Sequence, residues 1–389
     1  MGATRLSNLR ALALGRTPGR HRPKETSIPA PASPSRFENL AEAAAWYADW
    51  RTAALALWTD AGVDPATGGF REALTWTGEA VDPHRRARVQ ARQAFVFASA
   101  GRRALAEAGF AVFVRHAERP DGLFARVLDL AGGQVDPVAR LYEHAFILLA
   151  MASLGQAEAA NALRGRLTAF RHAAGGFRES DEHPFQANAQ MHLLEAALAW
   201  EARSDEAGWA ALADEVAQLA LRRFIDSATG ALREFYDADW RALDGAAGLI
   251  EPGHQFEWAW LLAQWGASRG DEAAQAAARR LFAVGRRGVD PATGRVVNAL
   301  WDDLTVRDAA QRLWPQTEHL KAALALGETE AALQAANALA GFLDTPVRGA
   351  WCERMDAAGR AIVAPSPATS LYHLDLAIRE LLRFTGNPC

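Results

Sequence analysis

The sequence predicts an all-α protein: a closed (α/α)6 barrel of six helical hairpins, with short β-hairpin or turn insertions. Three observations predict it. A glycine-centred turn recurs along the chain, two helix-forming stretches lie between successive turns, and the unusual polar side chains gather on every second helix. Self-similarity at a fixed period marks an architecture in which each unit buries its apolar face only against its neighbours.

The turn reads Asp64-Pro-Ala-Thr-Gly-Gly-Phe-Arg-Glu72, then Arg119-Pro-Asp-Gly-Leu-Phe-Ala-Arg126, Ala174-Gly-Gly-Phe-Arg-Glu179, Asp226-Ser-Ala-Thr-Gly-Ala-Leu-Arg-Glu234, Asp290-Pro-Ala-Thr-Gly-Arg-Val-Val297 and Val347-Arg-Gly-Ala-Trp-Cys-Glu353. Its glycines follow one another at roughly 55-residue steps, with one longer step before Gly294. Glycine supplies the positive φ that such a turn needs, and the apolar-charged run behind it suits a short strand.

Ala/Leu/Glu/Arg-rich stretches with 3.6-residue apolar spacing predict helices starting near Phe37, Pro83, Arg103, Pro137, Gln156, Phe185, Glu206, Gly253, Asp271, Trp314, Glu328 and Pro367. The second is expected to open at Asp82-Pro83-His84, as N-cap and first-turn proline, and to carry Arg85, Arg88 and Arg92 as a stripe. Pro315 is expected as the first residue of the tenth. An open α-solenoid is the competing arrangement; the sixfold count and the lack of polar capping repeats favour closure. The barrel is expected over residues 36–386. Residues 1–35 hold Arg5, Arg10, Arg16, Arg20, Arg22 and Lys24 against one acid, Glu25, and end Pro29-Ala-Pro-Ala-Ser-Pro34, which predicts a flexible basic, Pro-rich arm.

Composition narrows the function classes. Half of the 389 residues are hydrophobic and 23% are charged, enough for a large core. A net charge of −4 and a pI near 6.2 do not suit a nucleic-acid or membrane-surface partner. Two cysteines, Cys352 and Cys389, exclude a disulfide framework and fit a cytoplasmic setting. No Gly-Lys phosphate loop or dinucleotide fingerprint is present, so no cofactor is expected.

The polar residues of the even helices converge on one mouth if those helices are the inner ones. The eighth, Glu251-Pro-Gly-His-Gln-Phe-Glu-Trp258, carries His254 and Glu257 on one face of an otherwise apolar segment, which belongs inside a protein. His144, His192, His254, His319 and His373 lie on alternate helices, beside Arg92, Tyr142, Asn188, Glu195, Trp314 and Glu318. Such a polar pocket with aromatic walls suits a carbohydrate, a monosaccharide or possible disaccharide. Three chemistries compete. His254 and His373 can move a sugar proton through an enediolate, with Arg92 on the oxyanion. Glu257 and a second carboxylate can hydrolyse a glycosidic bond. His254, Glu257 and another histidine can hold a metal. A non-catalytic scaffold is the fourth reading; buried charges at helix starts argue against it.

The segments Ala91-Arg-Gln93, Tyr142-Glu-His-Ala-Phe146, Asn188-Ala-Gln-Met-His192, Pro252-Gly-His-Gln-Phe-Glu-Trp258, Trp314-Pro-Gln-Thr-Glu318 and Tyr372-His-Leu374 resemble, in order and spacing, those of the N-acylglucosamine 2-epimerase superfamily. The resemblance runs from about residue 37 to 384. It implies a metal-independent reaction at C1 and C2 of a free sugar, in a monomer or homodimer. His373 would be the base, His254 its partner in ring opening and reprotonation, Glu257 the group that orients His254, and Arg92 the ligand of the enediolate. Tyr142, Asn188, His192, Trp314 and Glu318 would line the substrate. Asn188-x-x-x-His192 and Trp314-Pro-Gln look closest to the mannose–fructose isomerase branch; a 2-epimerase of the N-acylglucosamine or cellobiose type is the runner-up. A 6-phosphate has no evident Lys/Arg cluster to receive it, although Arg85 and Arg88 leave it open.

Overall fold

The computed structural model describes residues 35–245 and 248–387; the arm expected over residues 1–35 falls outside them except for Ser35. Among the described residues there are twelve α-helices. The odd ones are α1 (Leu40–Asp60), α3 (Arg103–Ala117), α5 (Ala157–Arg166), α7 (Ala207–Leu219), α9 (Glu272–Gly285) and α11 (Thr329–Ala340). The even ones are α2 (Ala87–Ser99), α4 (Leu141–Leu154), α6 (Ala187–Glu201), α8 (Pro252–Arg269), α10 (Leu313–Ala325) and α12 (Thr369–Phe384).

The even helices form the inner ring. Each packs on the next, and α12 returns to α2, so the ring is closed and the solenoid alternative falls. Each odd helix from α3 to α11 lies outside its preceding partner, and α1 lies against α11 and α12. Burial follows the same division: fourteen of the eighteen residues of α8 are buried, against two of the ten in α5. Aromatic pairs tie the layers together. Trp200 of α6 stacks on Trp209 of α7 at 5.2 Å, and Trp58 of α1 stacks on Trp351 of the last turn at 5.1 Å. Such stacked pairs are worth about 0.5–1.5 kcal/mol beyond the area they bury.

Among the described residues there are also ten short strands. Among them are β1 (Ala73–Leu74), β3 (Arg85–Arg86), β4 (Val127–Leu128), β5 (Gln134–Asp136), β8 (Gln311–Arg312), β9 (Arg354–Met355) and β10 (Ser366–Pro367). The antiparallel pairing of β10 with β1, Ala73 opposite Pro367, joins the last repeat to the first.

Five of the six turns are clamped by the inner helix that follows. Gln90 accepts from Phe70 N at 2.9 Å and donates to its carbonyl at 2.7 Å. Gln255 does the same to Leu232 at 2.8 Å each way, and Gln316 to Val296 at 2.8 and 3.0 Å. Gln190 donates to the Phe177 carbonyl. In α4 this place is taken by His144, whose Nε2 accepts from Phe124 N at 3.0 Å. Two residues further on stand Arg92, Phe146, His192, Glu257 and Glu318, all buried.

Two helix starts differ from expectation. Asp82-Pro83-His84 does not open α2; Arg85 and Arg86 run on as β3, paired with β4, and the helix begins at Ala87. A proline signal is local, whereas this strand pairing reaches forty residues away. Arg85 therefore leaves the expected stripe and binds Asp64 at 2.5 Å. Pro315 is the third residue of α10, not the first.

Candidate active site

One cavity of about 210 Å³ opens among the six inner helices. Arg92 of α2, Tyr142 of α4, Asn188 and His192 of α6, His254 and Glu257 of α8, Trp314 of α10 and His373 of α12 all line it. The volume lies below the ~300–1,000 Å³ typical of drug-sized ligands, which limits the occupant to something small.

The two histidines are held in the same way. His254 Nδ1 is 2.7 Å from Glu234 Oε2, and His373 Nδ1 is 2.9 Å from Glu318 Oε1. With each Nδ1 committed to a carboxylate, Nε2 is the nitrogen left for the cavity. Their charge states are opposite. Burial alone would lower the pKa of His254, but the charge and hydrogen bond of Glu234, with Glu251 and Glu257 adding, raise it to about 9. Burial prevails at His373, against Glu318 and with help from Arg92 and Lys321, and takes it down to about 4. At neutral pH one imidazole is a cation and the other a neutral base, a separation expected of acid and base partners.

Trp314 packs on both, its ring centroid 4.9 Å from His254 and 5.9 Å from His373. Gly253 makes this possible: a Cβ there would lie 2.5 Å from two carbons of the Trp314 ring. Arg92 donates to Tyr142 Oη at 2.9 Å and to the Thr369 carbonyl at 3.3 Å. Its guanidinium sits 3.9 Å from the Phe146 centroid and 4.9 Å from Tyr372, a geometry that fixes a planar cation in the wall. His192 Nδ1 meets Glu195 at 3.2 Å, and Tyr372 Oη donates to the other oxygen of Glu195.

Several expectations need correction. Glu257 does not orient His254; Glu234 does. Glu257 lies 3.9 Å from His192, and burial, reinforced by Glu318 and Glu195 and opposed by Lys321, raises its pKa well above the usual carboxylate range. Glu318 does not line the cavity. It is fully buried behind His373, with Lys321 Nζ 2.6 Å from its second oxygen, and its pKa is about 2 despite burial, held down by Lys321 and His373. His144 and His319 are not part of the site. His144 is the turn clamp, and His319 is stacked on Phe256 at 4.6 Å, outside the cavity wall.

The cavity also contains Glu251, Arg312, Glu353, Thr369 and Ser370, which the sequence reading passed over as site residues. Arg312 is paired with Glu251 at 2.8 Å. Glu353 accepts from Ser370 Oγ at 2.8 Å and from Trp351 Nε1 at 3.2 Å through one oxygen, and burial raises its pKa to about 7. Glu234 and Glu353 carried a signal: both close a copy of the repeated turn, at the place of Glu72 and Glu179. Glu72 Oε1 accepts from Arg86 N at 2.6 Å, and Glu179 from Leu141 N at 3.0 Å and Tyr142 N at 2.8 Å, so this turn glutamate always faces the start of an inner helix.

Among the described residues, two groups bring metal-ligand atoms within 4.8 Å of one another: His192, Glu195 and Glu257, and Glu257, Glu318 and His373. His254 belongs to neither, so the metal set read around it does not assemble. In the second group Lys321 and the His373 hydrogen bond already engage both Glu318 oxygens.

The model of the N-acylglucosamine 2-epimerase (GlcNAc 2-epimerase) family matches residues 68–377. A protein of Rhizobium meliloti (strain 1021) named Mannose-6-phosphate isomerase is 43% identical over 373 residues, covering 87% of this chain and 96% of its own. A D-mannose isomerase of Thermobifida fusca is 29% identical over 327 residues, covering 72% of this chain and 78% of its own. A crystal structure of D-mannose isomerase superposes with a TM-score of 0.80 at 21% identity, over 87% of this chain and 97% of that one. The fold is the (α/α)6 barrel, and the chain belongs to the N-acylglucosamine 2-epimerase family.

Proposed function

We propose that the protein is an aldose–ketose isomerase that interconverts a free hexose pair of the mannose–fructose type by proton transfer. The observation that carries this is the pair of histidines in one cavity, each tethered through Nδ1 to its own carboxylate and held in opposite charge states. Cationic His254 donates its proton to the ring oxygen as the sugar opens, and the C1 hydroxyl returns one to it as C1 becomes the carbonyl. Neutral His373 takes the proton from C2 of the open chain, and the electron pair flows into the C1 carbonyl to form an enediolate. Arg92 faces that negative oxygen. Return of the proton from His373 to C1, with the O2 proton passing to O1 so that C2 becomes the carbonyl, gives the ketose. Delivery to C2 from the opposite face, by His254, would give the 2-epimer instead.

The pairing of the wall's cations supports the unphosphorylated sugar: Arg312 is paired with Glu251, and His254 with Glu234. Arg85 is tied to Asp64 and Arg88 to Glu143 at 3.0 Å, so neither is an unpaired cation waiting for a phosphate. The 6-phosphate is a second reading, on the strength of the relative that is 43% identical.

Proton NMR of the EDTA-treated protein with D-mannose, and separately with mannose 6-phosphate, decides between them. Fructose from mannose is the expected product. Turnover of the phosphate alone would establish the second reading, glucose without fructose an epimerase, and no change in either sugar would overturn the proposal.

A further inference from the structure

Of the 42 lysine and arginine residues only two are lysine, Lys24 and Lys321. Lys321 is fully buried in α10, outside the cavity wall, in a chain that uses arginine for every other cation among the described residues. Its Nζ is 2.6 Å from Glu318 Oε2 and 3.9 Å from the Trp260 ring centroid. Glu318 Oε1 in turn holds His373 Nδ1 at 2.9 Å. Lysine, glutamate and histidine thus form one line that ends at the cavity.

We propose that Lys321 is a positioning residue for the reaction: it keeps Glu318 an anion, and so holds the His373 ring with Nε2 towards the substrate. This rests on the reading of His373 as the base. The charge arrangement of the barrel floor argues for it. Glu195 from α6, Glu257 from α8 and Glu318 from α10 face one another there, with His192 from α6, Tyr372 and His373 from α12 and Arg92 from α2 around them. Three buried carboxylates at close range cannot all stay ionised without a cation among them. Lys321 pairs directly with one of the three, Glu318, whose pKa is held low, while that of Glu257 is raised. A compact ammonium on a flexible stem fits this role, and the Trp260 face covers the side that no carboxylate reaches.

The test is the pH profile of kcat/KM in K321M. Without the ammonium, the Glu318–His373 pair takes up a proton at higher pH, wherever that proton settles, and the neutral base is lost. The acid limb, at about 4 in the parent, moves up by about one unit or more, a tenfold loss on the limb at fixed pH. A limb that stays in place while activity falls equally at every pH would overturn the proposal, since that is the signature of a merely structural lysine. H373A separates the two readings: an active H373A removes the base itself, whereas an inactive H373A with an unmoved K321M limb removes only the role of Lys321. A measurement on the unaltered protein covers the case in which K321M does not fold. With 15N-labelled lysine only two side-chain signals exist, and Lys321 is expected as an exchange-protected ammonium at pH 7; a neutral amine there would overturn the proposal.

Discussion

Glu234→Gln removes the carboxylate that keeps His254 protonated while preserving a side chain of the same length. In the parent, burial opposes the charge, but Glu234 outweighs it by charge and by the 2.7 Å hydrogen bond, and the imidazole titrates at about 9. In the variant those two contributions go, and His254 falls back to about its ordinary 6.5 or below, because burial remains. At pH 8 about nine-tenths of the parent molecules carry the proton on His254, against about 3% of the variant. The predicted loss in kcat/KM at pH 8 is therefore ~30-fold, shrinking to less than about 1.5-fold at pH 6. The assay is a pH series of initial rates with a coupled ketose measurement, from pH 5.5 to 9.5, at substrate well below KM. An alkaline limb that stays where the parent has it would refute the assignment of His254 as the cationic partner and of Glu234 as the group that makes it so.

Four further outcomes follow from the same contacts. Gly253→Ala puts a Cβ 2.5 Å from the Trp314 ring; it should cost about 1–3 kcal/mol in urea unfolding and lower kcat/KM by about tenfold or more as Trp314 moves off the histidines. His144→Gln should stay within about 1 kcal/mol of the parent, because glutamine is the clamp that four other inner helices use, whereas His144→Ala leaves Phe124 N unpaired and should cost about 1–3 kcal/mol. His319→Leu should raise stability by about 1 kcal/mol with unchanged kinetics: both ring nitrogens are buried without a hydrogen-bond partner among the described residues. Exhaustive EDTA treatment should leave kcat unchanged; a loss restored by one divalent ion would contradict the proton-transfer scheme.

Much of the fold was legible because the repeat is written twice, in the turn glycines and in the alternation of bland and unusual helices. The helix starts came out within four residues at all twelve sites. The offset at Asp82-Pro83 has a physical cause: β3 pairs with β4, whose residues lie about forty positions away, so no local signal competes with the proline. The candidate cavity residues were legible for a similar reason, since a histidine or arginine inside an apolar helical face stands out. What they pair with was not. His254 and Glu257 share a helical face in the sequence, yet the partner of His254 comes from a turn twenty residues earlier. Periodicity also cannot tell a side chain that lines the cavity from one a layer behind it, which is why Glu318 was read as a substrate ligand and Lys321 was not seen at all. His144 and His319 show the limit from the other side: each sits on an inner helix, but one turns back to a neighbouring loop and the other stacks between helices.

The measurement closest to the central claim is the fate of the C2 hydrogen. D-mannose deuterated at C2 would be converted in ordinary water and the ketose examined by proton NMR. Transfer by His373 through an enediolate predicts fructose in which part of the label at C1 has been replaced by solvent hydrogen, with a primary isotope effect on kcat that disappears, along with turnover, in H373A. Fructose that retains the whole label at C1 would mean a hydride shift between the carbons, and would contradict the two-histidine account.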